Sequence, residues 1–485
     1  MESFQEGLAT FNDGLWLWLL VPVLAVISLY FTIRSGVVQI RLLPDMLRAI
    51  VAKPQQEPGR GKPVSSFQAF AISAAARIGT GNIVGVATAI ALGGPGAVFW
   101  MWLMGTLVGA ASFVEATLAQ LYKVKDGPDY RGGPAYYMER GLRARWMGVL
   151  FALVIIMTFS FAFNSVQSNT ISGAIGTSVD AVAGQTPSWL APVIGVVLVV
   201  LVGAIIFGGL HRIALTAQML VPLMVVIYVV LGVVVIALNL DRVPGVVALI
   251  VEHAVGIREM AGAGIGIALS QGVRRGMFSN EAGLGSAPNA AATATVTHPV
   301  KQGLVQTLGV YVDTLIVCSI TAFIVLVSNP SYGANAGPTM TQEALETNLG
   351  GWSLHLLTVI ILLIAFTSVL GNYYYGESNV AFLTRNRGVL GGYRVVFLVI
   401  AFLGAIGSAE LVWSLADTTM AIMALVNLAA ILPLSSVAFR LLRDFVAQRR
   451  QGRDPVFTRD RLPGVSGIEC WEPSTEAPQE AGRRV

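Results

Sequence analysis

The chain consists of long apolar runs separated by short polar stretches. The runs are roughly 18–25 residues long, which is the length of an α-helix that crosses a hydrocarbon core about 30 Å thick. Apolar and polar residues do not alternate with period two, so the pattern does not predict the strands of a membrane barrel. We therefore predict an all-α polytopic membrane protein. About eleven spans are expected, at residues 15–33, 67–91, 95–122, 147–170, 189–208, 214–238, 261–295, 302–328, 353–375, 393–413 and 417–441.

Composition and charge support this interpretation. Apolar residues make up 55% of the 485 residues and charged residues 12%, and the mean hydropathy is +0.70, unlike an ordinary soluble protein. Loops 34–62 and 123–145 are rich in Lys and Arg, whereas loops 172–188 and 328–351 contain neither. The positive-inside rule then predicts an N-terminus outside and a C-terminus in the cytoplasm. In a membrane protein the distribution of the basic residues matters more than the net charge of +4, so no nucleic-acid partner is expected. Residues 446–485 are expected to form a disordered cytoplasmic tail.

Glycine and polar residues interrupt the second and the seventh span. The second contains RIGTGNIVGV (residues 77–86) and the seventh contains GIALSQGVRRGMFSNEAGLGSAP (residues 266–288). If the first span and its basic segment (residues 1–66) are an addition, these two spans begin two five-helix halves, at about 67–240 and 261–441. An odd number of helices makes the halves run in opposite directions. Broken helices at matching positions of inverted repeats indicate a transporter binding site near the membrane midplane.

A broken helix exposes backbone groups that bind ligands. Unwinding at Gly79–Gly81 frees amides that suit a carboxylate, together with the dipole of the following half-helix. It also frees carbonyls that suit a hard cation such as sodium. Such unwinding is tolerated in a membrane only where protein or a water-filled cavity surrounds it. Close helix packing is the alternative role for these glycines.

Several long motifs resemble one family. GGPGAVFWMWLMG (residues 93–105) closely resembles the signature of the sodium:alanine symporter family, also called alanine or glycine:cation symporters. RIGTGNIVGVA, DGPDYRGGPAYYMERGL, RGMFSNEAGLGSAP and YVDTLIVC match further blocks in the same order, over about residues 15–445. The resemblance implies a LeuT-like fold, a 5+5 inverted repeat with one extra N-terminal helix. It also implies sodium-coupled uptake of small neutral amino acids, mainly alanine and glycine, sometimes including the D-isomer.

The resemblance assigns roles to residues of the second and fourth spans. Thr80 and Gly81 would offer backbone amides to the substrate carboxylate, and Asn82 would contact substrate or sodium. In the fourth span the expected pocket walls are Phe161 and Phe163, and the expected polar contacts are Asn164 and Gln167. Packing alone is the alternative for each aromatic residue.

The same resemblance implies an ion site between the second and ninth spans. The carbonyls of Ala75 and Ile78 would face a sodium ion, with Thr367 and Ser368 as hydroxyl ligands. These hydroxyls could instead bond to their own helix, as Ser and Thr often do in membranes. Asp313, in the eighth span, is a candidate for cation binding or proton coupling, or else a buried partner of an arginine.

Residues of the seventh and ninth spans complete the predicted site. Ser270, Gln271 and Gly272 resemble the second unwound region, on the amino-group side of the substrate, while Asn280 and Glu281 are expected nearer the inner gate. Arg77 needs a partner, Glu281 or Glu115, unless it takes part in gating. Asn372 stands where the family commonly has a tryptophan. This replacement predicts a substrate larger or more polar than alanine.

These observations favour a sodium-coupled secondary symporter of small neutral amino acids in a bacterial inner membrane, with sodium co-transported. A proton-coupled carrier and a symporter of a larger or more polar amino acid are alternatives within the class. A channel or a substrate sensor is the alternative outside it, but a pore would line several spans with polar residues. The sequence contains no paired intramembrane carboxylates and no nucleophile motif, so it does not predict an enzyme. It makes no prediction of the oligomeric state.

Overall fold

The computed structural model describes residues 2–54, 63–257, 264–333 and 339–471, with the side chains of residues 2–6 excepted. Within these ranges, eight continuous helices and one bent pair are long and apolar enough to cross a membrane. Two shorter helices, Leu190–Ile206 and Ile265–Asn280, fill the places of the fifth and seventh spans. The expected all-α membrane architecture is confirmed.

The eleven helical segments correspond one to one with the predicted spans. In chain order they are Gly7–Ser35, Ser66–Arg77 with Gly81–Gly93, Gly96–Leu121, Arg145–Ala183, Leu190–Ile206, Gly209–Leu238, Ile265–Asn280, Pro299–Val327, Trp352–Leu383, Arg387–Ile406 and Ala409–Arg450. Shorter helices connect them at Val38–Arg41, Leu43–Ile50, Pro134–Gly141, Val243–Ala254, Ala287–Ala291 and Met340–Leu349, with one turn at Arg459–Arg461. Two short antiparallel strands, β1 (Val124–Asp126) and β2 (Asp129–Arg131), form a hairpin after the third span.

Several predicted boundaries were wrong. The tenth span was expected at 393–413, but its helix ends at Ile406 and the next begins at Ala409. Ser408 is extended (ψ 134°) between the two helices, so the apolar run crosses a turn that hydropathy does not register. The eleventh helix continues to Arg450, well beyond the expected residue 441. Residues 261–263 of the predicted seventh span lie outside the described residues.

Local sequence explains where the second span begins. Ser65 accepts a hydrogen bond from the backbone N–H of Gln68 at 3.1 Å, and Gln68 Oε1 accepts one from the backbone N–H of Ser65 at 2.9 Å. This capping box satisfies amides that have no partner within the helix. The start of this helix is therefore determined by neighbouring residues alone.

Four helices of the first half pack against the helices at the corresponding positions of the second half. The second span contacts the seventh, the third contacts the eighth, the fourth contacts the ninth and the fifth contacts the tenth. The first span packs outside this set, against the third and eleventh. The two broken helices are thereby brought together inside the bundle, enclosed by the third, fourth and ninth spans.

The C-terminal segment is ordered against the bundle. The backbone N–H of Phe457 donates to the carbonyl of Thr297 at 2.9 Å, and Trp471 Nε1 donates to the carbonyl of Gln120 at 3.0 Å. Asp454 pairs with Lys301 at 2.8 Å. We call residues 454–471 the C-terminal strap. The expectation of disorder is therefore wrong for residues 446–471. The apolar residues of this segment are buried against the bundle, but they are irregularly spaced among Pro and Gly and so form no periodic pattern in the sequence. Residues 472–485 lie outside the described residues.

Trp471→Ala is expected to detach the strap. The substitution removes the bond to the Gln120 carbonyl and the ring contact with Phe457, whose centroid lies 5.5 Å away. Losing a buried tryptophan costs about 3–5 kcal/mol, so the melting temperature of the detergent-solubilised protein should fall. Trp18→Ala is the control, because that side chain is 79% exposed on the first span. Equal melting temperatures for the two variants would contradict the assignment.

Candidate binding site at the two helix breaks

The first break lies between Arg77 and Gly81. Helix Ser66–Arg77 ends there, and Gly81–Gly93 continues after a bend of 50°. A Cβ atom on Gly81 would lie 2.7 Å from Cδ1 of Phe278 and 3.2 Å from Cα of Ser279, on the seventh span. Glycine is therefore required at this position because the two broken helices approach each other closely.

The second break lies further along the chain than the sequence suggested. Ser270, Gln271 and Gly272 belong to the continuous helix Ile265–Asn280, so the expected unwinding at 270–272 is wrong. A Cβ on Gly272 would collide with the carbonyl of Ala97, which makes this glycine a helix-packing residue.

The seventh span actually unwinds at residues 281–286. Glu281, Gly283 and Gly285 adopt positive φ values of 56°, 83° and 81°, and a short helix resumes at Ala287. The signal in the sequence was the pair of glycines after Asn280–Glu281. Glu281 thus belongs to the break itself.

Glu115 of the third span satisfies the second break. Its carboxylate accepts hydrogen bonds from the backbone amides of Gly283 (3.3 Å) and Gly285 (3.1 Å) and from Asn427 Nδ2 (2.8 Å). Buried amides without partners are costly in a membrane. From the sequence, Glu115 was expected only as a possible partner of Arg77. Its bond to Gly285 was not predicted, because no local pattern connects two residues 170 positions apart.

Polar side chains likewise satisfy the first break. Asn82 Oδ1 accepts from the amide of Gly79 at 3.0 Å, and Gln167 Oε1 accepts from the amide of Thr80 at 3.3 Å. The Thr80 hydroxyl is buried and has no hydrogen-bond partner among the described residues. The structure therefore brings Thr80, Gly81, Asn82 and Gln167 together, as the sequence suggested.

Aromatic rings cover this cluster. The ring of Phe163 lies 4.4 Å from that of Phe278, which in turn lies 4.8 Å from that of Trp413. Phe161 is only half-buried and does not join these contacts. Asn164 donates to the carbonyl of Phe397 at 3.0 Å, so it lies against the tenth span. Of the four fourth-span candidates, Phe163 and Gln167 lie at the breaks.

One of the two predicted hydroxyl ligands lies at the first half-helix. Ser368 Oγ lies 2.8 Å from the carbonyl oxygen of Ala75 and 3.0 Å from that of Ile364, and its single hydrogen can be donated to either. Thr367 Oγ1 donates to the Ile364 carbonyl at 2.8 Å and lies 3.7 Å from Met224 Sδ on the sixth span. Ser368 and Ala75 are thus in contact close to Ile78, while Thr367 is turned away.

Asp313 connects the two broken helices. One carboxylate oxygen accepts from Asn82 Nδ2 at 2.6 Å, and the other accepts from Ser279 Oγ at 2.6 Å and Thr314 Oγ1 at 3.3 Å. No arginine of the described ranges lies within ion-pair distance of it. Ser279 was missed from the sequence, because a single serine in a helix carries no distinguishing pattern.

Arg77 has no direct carboxylate partner in the described part of the chain. Its Nη1 donates to the carbonyl of Gln306 at 3.1 Å, and its Nε and Nη2 are buried without hydrogen bonds. The predicted ion pair with Glu281 or Glu115 is therefore wrong as a contact. The guanidinium is held instead by a backbone carbonyl of the eighth span.

A buried ion pair lies beside the rings of Phe278 and Trp413. Arg275 Nη2 lies 2.7 Å from Asp417 Oδ2, and Arg274 Nη2 lies 2.7 Å from Asp13 Oδ1. The Arg275 guanidinium also lies 4.8 Å from the centre of the Trp413 ring. These contacts connect the seventh span to the eleventh and to the first span. The sequence did not indicate these partners for Arg274 and Arg275.

Asn372 is a fully buried amide on the face of the ninth span that carries Ser368. It is 0% exposed, and neither Nδ2 nor Oδ1 has a hydrogen-bond partner among the described residues. Residues four apart lie on one side of a helix, and a Cβ on neighbouring Gly371 would contact Ala76 at 2.8 Å. Asn372 therefore lies beside the first broken helix.

Gly81→Ala is expected to disrupt contact between the broken helices. Its Cβ would need Phe278 and the Ser279 backbone to move, and overpacking of this kind costs about 1–3 kcal/mol. Gly85→Ala is the matched control, since the nearest atom to its Cβ is 3.9 Å away. Thermal unfolding of the purified variants measures the difference, and a Gly81→Ala protein as stable as Gly85→Ala would refute the close approach.

Comparison with known proteins identifies the family to which the chain belongs. The model of the sodium:alanine symporter family matches residues 1–459. A probable sodium/glutamine symporter of Bacillus subtilis is 48% identical, covering 95% of this chain and 94% of its own. A putative sodium/proton-dependent alanine carrier of the same organism is 41% identical, covering 96% and 97%.

Solved structures agree on the fold. The crystal structure of MhsT in complex with L-phenylalanine has a TM-score of 0.56 at 13% identity, covering 80% of this chain and 90% of its own. The expected LeuT-like fold is confirmed, and so is the expectation that the protein is a secondary transporter and not an enzyme. The chain belongs to the sodium:alanine symporter family.

Proposed function

We propose that this protein imports small neutral amino acids together with sodium across the plasma membrane by alternating access. The observation that carries the proposal is the first break, where freed backbone lies between Ser368 on one side and Gln167 and Asn82 on the other. Transporters of this architecture bind substrate and coupling ions at such breaks. The N-terminus would lie outside and the C-terminus in the cytoplasm of a bacterial inner membrane.

The substrate carboxylate would bind the amides of Thr80 and Gly81. These amides stand at the N-terminus of half-helix Gly81–Gly93, whose dipole favours negative charge. Gln167 now accepts from the Thr80 amide at 3.3 Å and would yield this amide to the substrate. Phe278 would close over a small side chain, because its ring lies directly against Gly81, and Phe163 would support it, since its ring lies 4.4 Å from that of Phe278.

The co-transported sodium would bind where the first half-helix ends. The carbonyls of Ala75 and Ile78 lie at its C-terminus, where the helix dipole favours a cation. Ser368 Oγ already lies 2.8 Å from the Ala75 carbonyl. Thr367 is equally buried on the ninth span and would join after a change of rotamer, since its hydroxyl now bonds its own helix.

Asp313 would carry the second coupling role. Its carboxylate holds Asn82 of the second span and Ser279 of the seventh at 2.6 Å each. A cation or a proton bound there would change both contacts at once. This arrangement supports a second cation site, with proton coupling through the same carboxylate as the alternative.

A sodium gradient is expected to drive alanine uptake into proteoliposomes, and a proton gradient alone is not. Labelled alanine, with either gradient imposed separately, measures this. Uptake that ignores sodium would overturn the coupling, while no uptake of any small amino acid would overturn the proposed function as a whole.

Ser368→Ala tests the ion site within the same assay. Loss of one oxygen ligand is expected to raise the sodium concentration for half-maximal uptake roughly tenfold, equivalent to about 1.4 kcal/mol. Ser435→Ala is the control, because that hydroxyl bonds only the carbonyl of Leu432 on its own helix at 2.7 Å. An unchanged sodium requirement in Ser368→Ala would remove this residue from the site.

Asn372 favours a second candidate substrate, an amino acid with a polar side chain such as glutamine. A buried amide with both atoms unpaired complements the amide of such a side chain. A relative 48% identical to this chain is named a probable sodium/glutamine symporter.

Glutamine is expected to compete with labelled alanine for uptake, and Asn372→Ala should weaken that competition about tenfold through the lost hydrogen bonds. Alanine transport itself should change little in this variant. A competition panel of amino acids measures both effects. Competition limited to alanine and glycine would exclude the larger substrate and leave the proposed symport of alanine intact.

A further inference from the structure

A basic cavity lies where the first span ends beside the last turns of the eleventh. Its volume is about 540 Å³, and it is lined by parts of segments 33–41 and 436–450. Five arginines contribute to the lining, and no acidic residue does: Arg34, Arg41, Arg440, Arg443 and Arg450. It is separate from the helix breaks and plays no part in the proposed substrate site.

These arginines have no carboxylate partners among the described residues. Arg41 donates to the carbonyl of Ser35 at 3.1 Å, and Arg440 donates to that of Pro463 at 2.7 Å. Arg34 lies 6.0 Å from the centre of the Phe439 ring. Several guanidinium groups around one cavity repel each other, so an anion between them would be favoured.

Adjacent arginines show the contrast. Arg449 Nε lies 3.0 Å from Asp45 Oδ1, and Arg48 Nη1 lies 3.5 Å from the same oxygen. Asp45, the only acidic residue of the short helix Leu43–Ile50, is therefore already paired with arginines that do not line the cavity. The charge inside the cavity is left without a partner from this helix.

The cavity adjoins a face of the first span that is suited to lipid chains. Val26, Leu29, Tyr30 and Ile33 follow helical spacing and are all exposed, and Ile33, 67% exposed, lines the cavity itself. In a membrane-spanning helix such a face contacts acyl chains. Basic charge and apolar surface thus meet at the end of one span.

We propose that this cavity binds the headgroup of an anionic phospholipid, with the acyl chains along the exposed face of the first span. Guanidinium groups bind phosphate oxygens in a bidentate manner, and basic pockets between membrane helices accept such headgroups. The bound lipid links the first span, which lies outside the two repeats, to the eleventh. A free phosphate shares the headgroup chemistry but gains nothing from the apolar face.

The test measures melting temperatures of the purified full-length protein in detergent. Phosphatidylglycerol and diphosphatidylglycerol are added separately, with phosphatidylcholine and inorganic phosphate at equal concentration as the other arms. The anionic lipids are expected to raise the melting temperature, and phosphatidylcholine and phosphate are not. An equal rise with phosphate would make this a free-anion site, and an equal rise with phosphatidylcholine would make the effect one of apolar contact; either result overturns the proposal.

Variants locate the effect. Arg443→Gln with Arg450→Gln removes two exposed charges of the cavity and is expected to raise the anionic lipid concentration for half-maximal stabilisation at least tenfold. Arg385→Gln with Arg387→Gln is the matched control, because these exposed arginines lie on the same side of the membrane, two spans earlier, outside the cavity. An equal response of the two double variants would overturn the proposal.

A charge-conserving variant protects the test against misfolding. Arg443→Lys with Arg450→Lys should keep part of the lipid response, because the positive charge remains while the bidentate geometry is lost. Native mass spectrometry of this variant and the wild type should show retained anionic lipid on both. Bound lipid retained at the wild-type level by Arg443→Gln with Arg450→Gln would place the lipid elsewhere and overturn the proposal.

Discussion

Every backbone amide and carbonyl inside a membrane needs a hydrogen-bond partner, and the two helix breaks exist only because other helices provide such partners. Glu115 holds the amides of Gly283 and Gly285 across the second break. Asn82 and Gln167 do the same for Gly79 and Thr80 at the first. The polar groups inside this apolar bundle are therefore concentrated where helical hydrogen bonding stops.

The partners of the breaks also connect them. Asp313 holds Asn82 and Ser279, so the two broken helices share one carboxylate. Ser368 holds the Ala75 carbonyl, which attaches the ninth span to the first half-helix. The Asn82–Asp313 and Ser368–Ala75 bonds join helices of different halves, so a ligand that took over either bond would change the contacts between the halves. The binding proposed at the first break would thereby be linked to the contacts between the two repeats.

The chain outside the repeats is attached at one end of the bundle. The C-terminal strap bonds to Gln120 and Thr297, at the end of the third span and just before the eighth. Its Pro463 carbonyl also accepts a hydrogen bond from Arg440, which lines the basic cavity. The strap is therefore bonded to a residue that lines the cavity, so the first span, the eleventh and the strap meet at one place.

The sequence by itself determined the number of spans, the two interrupted helices and the first break, because hydropathy, glycine spacing and family motifs are local signals. The structure brings Thr80, Asn82 and Gln167 together at this first break. Only the tertiary structure decided that the second break follows Asn280, that Glu115 satisfies it and that Arg77 has no direct carboxylate contact among the described residues. It also decided that the strap is ordered. The bonds of Glu115 and Arg77, and those of the strap to Gln120 and Thr297, join residues more than a hundred positions apart, and no local pattern encodes such contacts.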